Sequence, residues 1–479
     1  MMRESFLNEH YNYLKIVEYI EKKVNTGEWT AGRKLPSQRE LAKGFGMNRS
    51  TVIHALEVLK DQELIESKAG SGTYVASQLS PLSQQINWNR YSKFSVHPSS
   101  NQAVKKINTL ETHSNMIQLG KGELHPDLFP KKDFQKSLRS VADLYDAYGY
   151  NDGTGDNRLK TAVRSYLQEN GVQYSTNSIL IVSGALQALQ LISLGLLQYG
   201  SNVFAQQTSY IHSLHVFRTT GMQMKGIPFH NNTLDTSYLE KQLRSNKSPS
   251  ILYVNPTFHN PTTETMPLET KKEIAKLSKE YKIPVIEDDI FRDLWLDSTP
   301  PPPIASVDTA GHTLLVGSFS KTIALTLRIG WIAGPADVIE KLSDLRMQLD
   351  YGSSYLPQLA IYDFIASGNY EKHLQVLREK LRQRRDYFIH LLETHLQEVA
   401  QWNIPEGGLF IWVTFREEIN IRKLWSQLID NGIVVNPGFM YSPYPNQSIR
   451  LSYASCTEEE MKKGVLSIKK ILQAWSLKT

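Results

Sequence analysis

From residue 116 onward, short apolar runs alternate with longer segments that have the periodicity of amphipathic helices. Four of these runs lie at 179–182, 251–254, 284–287 and 314–317. Apolar runs of this length, separated by helices, predict an α/β fold with a mostly parallel central sheet. Because ligands of such sheets bind beyond the carboxyl ends of the strands, the residues after each run are the first candidates for a functional site.

Small or polar residues follow the first two predicted strands. Ser183 and Gly184 lead into a helix that starts near Leu186, and the free backbone amides at a helix N-terminus can bind a phosphate. Strand–glycine–helix turns are common, so this turn alone is weak evidence. The segment 255–262 contains two Asn-Pro pairs that can orient a side-chain amide, although an ordinary turn has the same composition.

Charged residues follow the other two predicted strands. Asp288 comes directly after a buried strand, which is typical of a partner such as a metal ion or a protonated ring nitrogen, or equally of a solvated strand end. Lys321 ends the string Ser-Phe-Ser-Lys, and Arg328 follows seven residues later. A lysine can form a Schiff base when its surroundings deprotonate the amine, and the nearby Ser318 and Ser320 suit a phosphate. A surface lysine would explain the tetrapeptide alone equally well.

The first 77 residues carry a different pattern, with two short helices, a glycine turn and a hairpin. Ser37 and Glu40 form the sequence of a capping box before the first of these helices. The buried stripe of the second helix consists of Val52, Ala55, Leu56 and Leu59. Two short strands at 64–67 and 73–76 enclose a glycine-rich turn. This order predicts a winged helix-turn-helix, whose second helix enters the major groove of DNA.

The distribution of charge also favours a nucleic-acid partner for this module. The net charge is only +5, but between Arg33 and Arg49 five basic residues accompany a single acid, Glu40. Nucleic acid responds to such local positive charge. The segment 78–115 is rich in Ser, Asn and Gln and has no clear periodicity, which predicts a flexible linker. A strip that also touches DNA is the alternative interpretation.

Composition excludes several other classes of protein. A single cysteine, Cys456, rules out an internal disulfide framework and fits a reducing cytoplasm. No apolar run reaches the ~20 residues of a membrane helix, and the N-terminus lacks the apolar region of a signal peptide. No Cys/His cluster has metal-ligand spacing. We therefore expect a cytoplasmic protein with neither a membrane segment nor a metal site.

Three strings in the N-terminal module resemble the GntR family of transcription regulators: KLPSQRELA at 34–42, NRSTV at 48–52 and GSGTYV at 70–75. The resemblance implies that the wing around Gly70 reaches the minor groove of double-stranded operator DNA. It also implies DNA contacts by Arg39, Asn48, Arg49, Ser50 and Thr51. Arg49, at the start of a helix, has the geometry to bind a guanine edge with two hydrogen bonds.

The four motifs that follow the predicted strands resemble, in this order, the fold-type I aminotransferases of the class I and II group. The resemblance covers about 117–472, and the chain as a whole is similar to the MocR subfamily of GntR-type regulators. It implies domains at 1–77 (winged helix-turn-helix), 78–115 (linker) and 116–479 (aminotransferase-like, with a smaller C-terminal α/β subdomain). It also implies that Lys321, the catalytic residue, holds pyridoxal 5'-phosphate (PLP) as an internal aldimine.

The same resemblance assigns roles to further residues. The cofactor phosphate would be held by Ala185, Leu186, Ser318, Ser320 and Arg328. The cofactor ring would be contacted by Asp288 at its nitrogen, Asn260 at O3′ and Tyr210 by stacking. Tyr150 would reach the phosphate of a neighbouring subunit, which implies a homodimer. Arg450 would grip the carboxylate of an amino acid, and Gly122 would line the same subsite.

The sequence departs from the aminotransferase pattern at several positions. Ile290 and Phe291 occupy the positions where the family usually has a tyrosine bonded to O3′, and Leu325-Thr326 replaces a Pro-Gly pair. Thr263 replaces a glycine. These departures predict transaminase activity that is weak or vestigial.

Three functions are compatible with these residues. The first is a transcription regulator that senses an amino acid or amine through an external aldimine. The second is an active aminotransferase with an accessory DNA-binding domain, and the third is a regulator whose body has lost PLP and serves as a scaffold. The winged helix favours the first, because a metabolic enzyme does not need one. The retained Lys321, Asp288, Arg328 and Arg450 argue against the third.

Overall fold

The computed structural model describes residues 2–26, 28–61, 64–68, 71–76, 102–113, 115–145, 152–444 and 446–476. The chain divides into two compact units, Met1–Ser95 and Val96–Thr479. Among the helices of these ranges, none has the length and apolar character needed to cross a membrane.

The first unit is the predicted winged helix-turn-helix. Its elements are α1 (Met2–Asn25), α2 (Gln38–Phe45), α3 (Arg49–Asp61), β1 (Ile65–Lys68) and β2 (Gly72–Val75). The strands pair antiparallel, with Ile65 opposite Val75. The predicted stripe of α3 is buried against α1, with Val52, Ala55 and Leu59 fully covered.

The capping box at the start of α2 is confirmed in both directions. The Ser37 amide donates to Glu40 Oε2 at 2.7 Å, and the Glu40 amide donates to Ser37 Oγ at 3.3 Å. Two of the amides that a helix start leaves unpaired are satisfied in this way, which defines where α2 begins.

The second unit contains thirteen helices among the described residues. They are α4 (Gln102–Leu110), α5 (Lys131–Leu144), α6 (Asn157–Glu169), α7 (Ala185–Gly195), α8 (Val216–Thr219), α9 (Thr236–Ser245), α10 (Leu268–Tyr281), α11 (Ile304–Val307), α12 (Ala336–Leu349), α13 (Tyr355–Ala366), α14 (Asn369–Leu396), α15 (Ile421–Asp430) and α16 (Glu458–Ser476). Short 3-10 turns include Tyr210–Ser213 and Leu325–Leu327.

A seven-stranded sheet forms the centre of the second unit. Its strands are β3 (Ile179–Val182), β4 (Asn202–Gln206), β5 (Gln223–Ile227), β8 (Ser250–Val254), β9 (Val285–Asp288), β10 (Thr313–Ser318) and β11 (Gly330–Ala333), and the strand order is β3-β11-β10-β9-β8-β4-β5. Only β11 runs antiparallel to its neighbours. The four predicted strands are confirmed to within one residue, because each is built on a short run of buried apolar residues.

Two smaller sheets complete the unit. A hairpin pairs β6 (Phe229–His230) with β7 (Thr233–Leu234). A four-stranded antiparallel sheet has the order β12-β13-β15-β14 and consists of β12 (Ala400–Gln401), β13 (Phe410–Phe415), β14 (Asn436–Pro437) and β15 (Ser448–Ser452). Helices α14, α15 and α16 share a hydrophobic core with this sheet, which forms the smaller C-terminal α/β subdomain.

The prediction of a flexible linker over 78–115 is wrong for its last part. Residues 102–110 form the helix α4, and Ala103 and Ile107 on one face of that helix are buried in the core of the C-terminal subdomain. The apolar stripe of α4 is short and lies among polar residues, so its i, i+4 spacing gave only a weak helical signal in the sequence. Residues 77–101 lie outside the described part of the chain.

Candidate functional site

A cavity of about 350 Å³ lies beyond the carboxyl ends of β9 and β10, between the central sheet and the smaller sheet. All the residues predicted to bind the cofactor or its ligand line this cavity, except Tyr150. Tyr150 falls outside the described residues. Residues that are up to about 330 positions apart in the chain, such as Gly122 and Arg450, therefore meet at one place.

Lys321 enters the cavity from the turn that follows β10. Its Nζ donates to the carbonyl of Gly122 at 2.8 Å and lies 6.0 Å from the centre of the Phe291 ring. Burial of the amine, together with the cations Arg450 and Arg328, lowers the pKa of Lys321 to about 8. The uncharged, nucleophilic form of the amine is therefore much more populated near neutral pH than in an ordinary lysine.

Asp288, at the end of β9, faces the cavity with one oxygen satisfied and the other free. Tyr253 Oη donates to Asp288 Oδ2 at 2.7 Å, whereas Oδ1 is buried and has no hydrogen-bond partner among the described residues. Burial raises the pKa of Asp288 to about 6, against the opposing effect of the Tyr253 hydrogen bond. A buried carboxylate oxygen without a partner is costly, so this site fits a cationic N–H group of a ligand.

A chain of amide groups ties the loop after β8 to the backbone of Asp288. Asn255 Nδ2 donates to the Asp288 carbonyl at 2.6 Å, and the Asn260 amide donates to Asn255 Oδ1 at 2.7 Å. Asn260 Oδ1 in turn accepts from Arg450 Nη1 at 2.6 Å. Because the Asn260 oxygen is already used, its Nδ2 is the group left to donate to a ligand in the cavity.

Arg450, on β15, is 3% exposed and held from several sides. Besides Asn260, it donates from Nη2 to the Gly120 carbonyl at 2.7 Å, and its guanidinium lies 3.8 Å from the centre of the Phe410 ring. Arg450 Nε is buried without a partner among the described residues. A fixed, stacked guanidinium with an unused donor suits a carboxylate.

The turn between β3 and α7 forms an anion cradle with Arg328. Gly184 has φ +88°, and a Cβ at this position would lie 2.7 Å from Arg328 Nη2, so only glycine allows the arginine this close. Arg328 Nη2 donates to the Ser183 carbonyl at 3.0 Å. The amides of Ala185 and Leu186 belong to the first turn of α7, where helical amides lack internal partners.

Two serines and a tyrosine complete the predicted set. Ser318 Oγ accepts from the Ser320 amide at 3.1 Å, and Ser320 Oγ is buried without a partner among the described residues. That free hydroxyl fits an anion held by the cradle. Tyr210 donates its amide to the Asn260 carbonyl at 2.9 Å, and its side chain is 40% exposed along the cavity wall.

Sequence reasoning missed several residues of the cavity. Tyr253 pairs with Asp288 from the neighbouring strand, Phe410 supports Arg450, and Glu111 lies beside α4 on the cavity wall. In the sequence, Tyr253 and Phe410 cannot be distinguished from the ordinary core residues of a strand. Glu111 could have been noticed as the first acid after the acid-free stretch 67–110.

In the first unit, four of the six predicted DNA contacts are exposed. Arg39, Asn48, Arg49 and Ser50 are exposed, Thr51 is half-buried, and Gly70 falls outside the described residues. Arg49 Nε donates to Gln38 Oε1 at 3.2 Å, which links α3 to α2. Arg33, Lys34, Arg39 and Arg49 line one shallow depression between α2 and β2. This surface has the positive charge that a DNA backbone requires.

The two units thus define a class of protein, a winged helix-turn-helix joined to an aminotransferase-like body. The family model of class I and II aminotransferases matches residues 114–468, and that of bacterial regulatory proteins of the gntR family matches residues 12–75. The chain belongs to the MocR subfamily, the GntR-type regulators with a class I/II aminotransferase domain.

Curated relatives share this organisation over nearly their whole length. The chain is 44% identical to the uncharacterized HTH-type transcriptional regulator YdfD of Bacillus subtilis (strain 168), over 95% of each chain. It is 36% identical to the HTH-type transcriptional regulator NorG of Staphylococcus aureus (strain USA300), over 91% of this chain and 98% of that one.

Solved structures match the second unit and confirm its fold-type I aminotransferase fold. The kynurenine aminotransferase of Pyrococcus horikoshii, solved with PMP, superposes with a TM-score of 0.75 at 27% identity, covering 81% of this chain and 98% of that one. LysN, the α-aminoadipate aminotransferase of Thermus thermophilus, superposes with a TM-score of 0.74 at 22% identity, over 82% of this chain and 100% of that one.

Proposed function

We propose that this protein is a DNA-binding transcription regulator whose body holds PLP on Lys321 and responds to an amino acid or amine. One observation carries the proposal: a lysine amine of lowered pKa, a half-satisfied buried aspartate and an anion cradle meet in one cavity. The chain also carries a basic winged helix-turn-helix, and its relatives are named transcriptional regulators.

The residues of the cavity fit PLP group by group. Asp288 Oδ1 would accept from the ring nitrogen, Asn260 Nδ2 would donate to the ring oxygen, and Lys321 Nζ would attach the aldehyde. The cradle of Arg328, Ser320 and the α7 amides would bind the phosphate. When bound, PLP supplies an electrophilic carbon for a primary amine and an electron-withdrawing ring.

The residues of the chain then explain how an effector would be selected. Arg450 would bind its carboxylate, and Phe410 and Asn260 would keep the guanidinium in place. With the cofactor and an effector bound, Lys321 Nζ would be the group placed to accept or donate a proton in the cavity. Ile290 and Phe291 offer no hydroxyl group to the ring oxygen O3′, which favours sensing over turnover.

Two further features belong to the same proposal. Tyr150 would reach the phosphate site of a second subunit, so the working form would be a homodimer that binds the two halves of an operator. Since its target is DNA, the protein would act in the cytoplasm.

The two halves of the proposal are tested by a pair of variants. Lys321→Ala should abolish the visible absorbance of bound PLP and the response of DNA binding to effector, while operator affinity without effector stays the same. Arg49→Ala should weaken operator binding by about 1–3 kcal/mol while the absorbance is retained. A colourless wild-type protein, reconstituted with PLP, would reject the sensor and leave the scaffold alternative.

A further inference from the structure

Glu111 places a carboxylate on the cavity wall without a partner. It directly follows α4, the helix that also contributes Val104, Ile107 and Asn108 to the wall. The side chain is half-buried, and among the described residues none forms a hydrogen bond or an ion pair with its carboxylate. A half-buried charge that faces a cavity with no protein partner is an unusual feature for a side chain with a purely structural role.

Each of the other charged groups of the cavity has either a protein partner or a ligand group assigned to it above. Lys121 Nζ lies 2.7 Å from Glu123 Oε2, so these two charges neutralise each other. The remaining charged residues of the lining are those assigned above to the cofactor and to a carboxylate. Once those ligands are in place, Glu111 contributes the one negative charge of the described lining that nothing balances.

Glu111 and the proposed carboxylate site at Arg450 line the same cavity. Burial raises the pKa of Glu111, and this effect exceeds the opposing effect of the cations Arg450 and Lys121. Arg450 is the largest of these opposing influences, and both side chains line the same cavity of about 350 Å³. A ligand cation beside Glu111 would recover part of the cost of burying its charge.

We infer that the effector is an amino acid with a positively charged side chain, the lysine and ornithine class. Arg450 would bind its α-carboxylate, and Glu111 would pair with the cation at the far end of its side chain. The inference rests on the proposed function and adds the chemical class of the effector to it.

The test compares a charged effector with an apolar one of nearly the same length, since the side chain of L-norleucine ends in a methyl group one atom short of the ammonium group of L-lysine. The PLP-loaded protein is titrated with L-lysine and with L-norleucine, while the cofactor absorbance and operator binding are recorded. We expect lysine to bind at least tenfold more tightly than norleucine. In Glu111→Gln the preference should disappear, with the affinity for norleucine unchanged. Retained norleucine binding also shows that this variant is folded. Glu418 is an exposed acid outside the cavity lining, so Glu418→Gln should keep the wild-type preference.

Two results would overturn the inference. If norleucine binds as tightly as lysine, or if Glu111→Gln keeps the preference for lysine, Glu111 does not select the effector, but the sensor function stands. If no member of a panel of amino acids and amines changes the absorbance of the bound cofactor, the proposed function itself fails.

Discussion

At the scale of single residues, the cavity depends on side chains whose ordinary chemistry has been changed by their surroundings. Lys321 is less basic than a free lysine, and Asp288 is less acidic than a free aspartate, in both cases mainly because burial disfavours the charged form. The two pKa shifts have opposite directions because the two charges have opposite signs. Each pKa shift increases the neutral fraction of a group that is normally charged near pH 7.

The shift at Lys321 predicts how the apoprotein captures PLP as the pH changes. Only the uncharged amine is a nucleophile, and the pKa of Lys321 is about 8, so the capture rate should rise from pH 6 through about 8 and level off above it. Stopped-flow measurement of the visible absorbance provides the rates.

Removing a neighbouring cation provides the control for this assignment. Arg450 disfavours the ammonium form of Lys321, so Arg450→Met should move the midpoint of the rate profile to higher pH. A midpoint that does not move, or one near the pKa of a free lysine, would show that this amine does not control capture.

At the scale of elements, the anion cradle is produced by the junction of β3 with α7. The strand ends at Val182, the helix begins at Ala185, and Gly184 between them turns the chain with φ +88°. The same turn exposes the first amides of α7 and leaves space for the guanidinium of Arg328. The local backbone, more than any side chain of the turn itself, therefore creates the phosphate site.

A methyl group at Gly184 should damage this site selectively. In Gly184→Ala the new Cβ would contact Arg328 Nη2 at 2.7 Å and displace the guanidinium, so the affinity for PLP should fall at least tenfold in a fluorescence or absorbance titration. Pyridoxal, which lacks the phosphate, should bind both proteins equally.

Gly432→Ala is the matched control for backbone strain. Gly432 also has positive φ, +75°, but no atom lies within 4 Å of the added Cβ. This variant should keep the wild-type affinity for PLP. If both variants lose PLP equally, the loss comes from strain in the backbone, and the cradle is not responsible.

At the scale of the whole molecule, the described residues form two units with separate cores. The first unit buries its own apolar stripe, and the second contains the sheet, the cavity and the smaller subdomain. Helix α4 belongs to the core of the second unit and also lines the cavity, at the end of the segment that connects to the DNA-binding module. A ligand that contacts Glu111 would therefore act next to α4, the first described element of the second unit.

Subunit complementation tests the homodimer. If Tyr150 serves the phosphate site of its partner, the protein should sediment at twice its chain mass of 54.6 kDa. Lys321→Ala should lose PLP completely, and Tyr150→Ala should bind it about tenfold more weakly, as expected for loss of a hydrogen bond to a charged group. Mixing the two after dissociation should restore one tight site per hybrid dimer. A monomer, or a mixture without tight sites, would reject the shared site.

Much of the cavity could be predicted because its residues follow apolar strands directly. Asp288, Ser318, Lys321 and Ala185 lie within a few residues of a strand end, and parallel strands bring such ends to one edge of the sheet. The winged helix was predictable for a similar reason, since its caps and stripes are local patterns. The limits of the linker could not be predicted. The apolar stripe of α4 is too short to indicate a helix by itself, and the helix is recognised only from its packing in the core of the C-terminal subdomain.

The sequence by itself determined the order of the strands along the chain, the caps of the DNA-binding module and the identity of the groups that suit a cofactor, since each depends on near neighbours. Only the tertiary structure decided that Tyr253 satisfies one oxygen of Asp288, that Asn255 and Arg450 hold Asn260 in place, and that Glu111 faces the cavity unpaired among the described residues. Most of those pairings join residues far apart in the chain, and burial, which sets both their strength and their pKa values, exists only once the chain has folded.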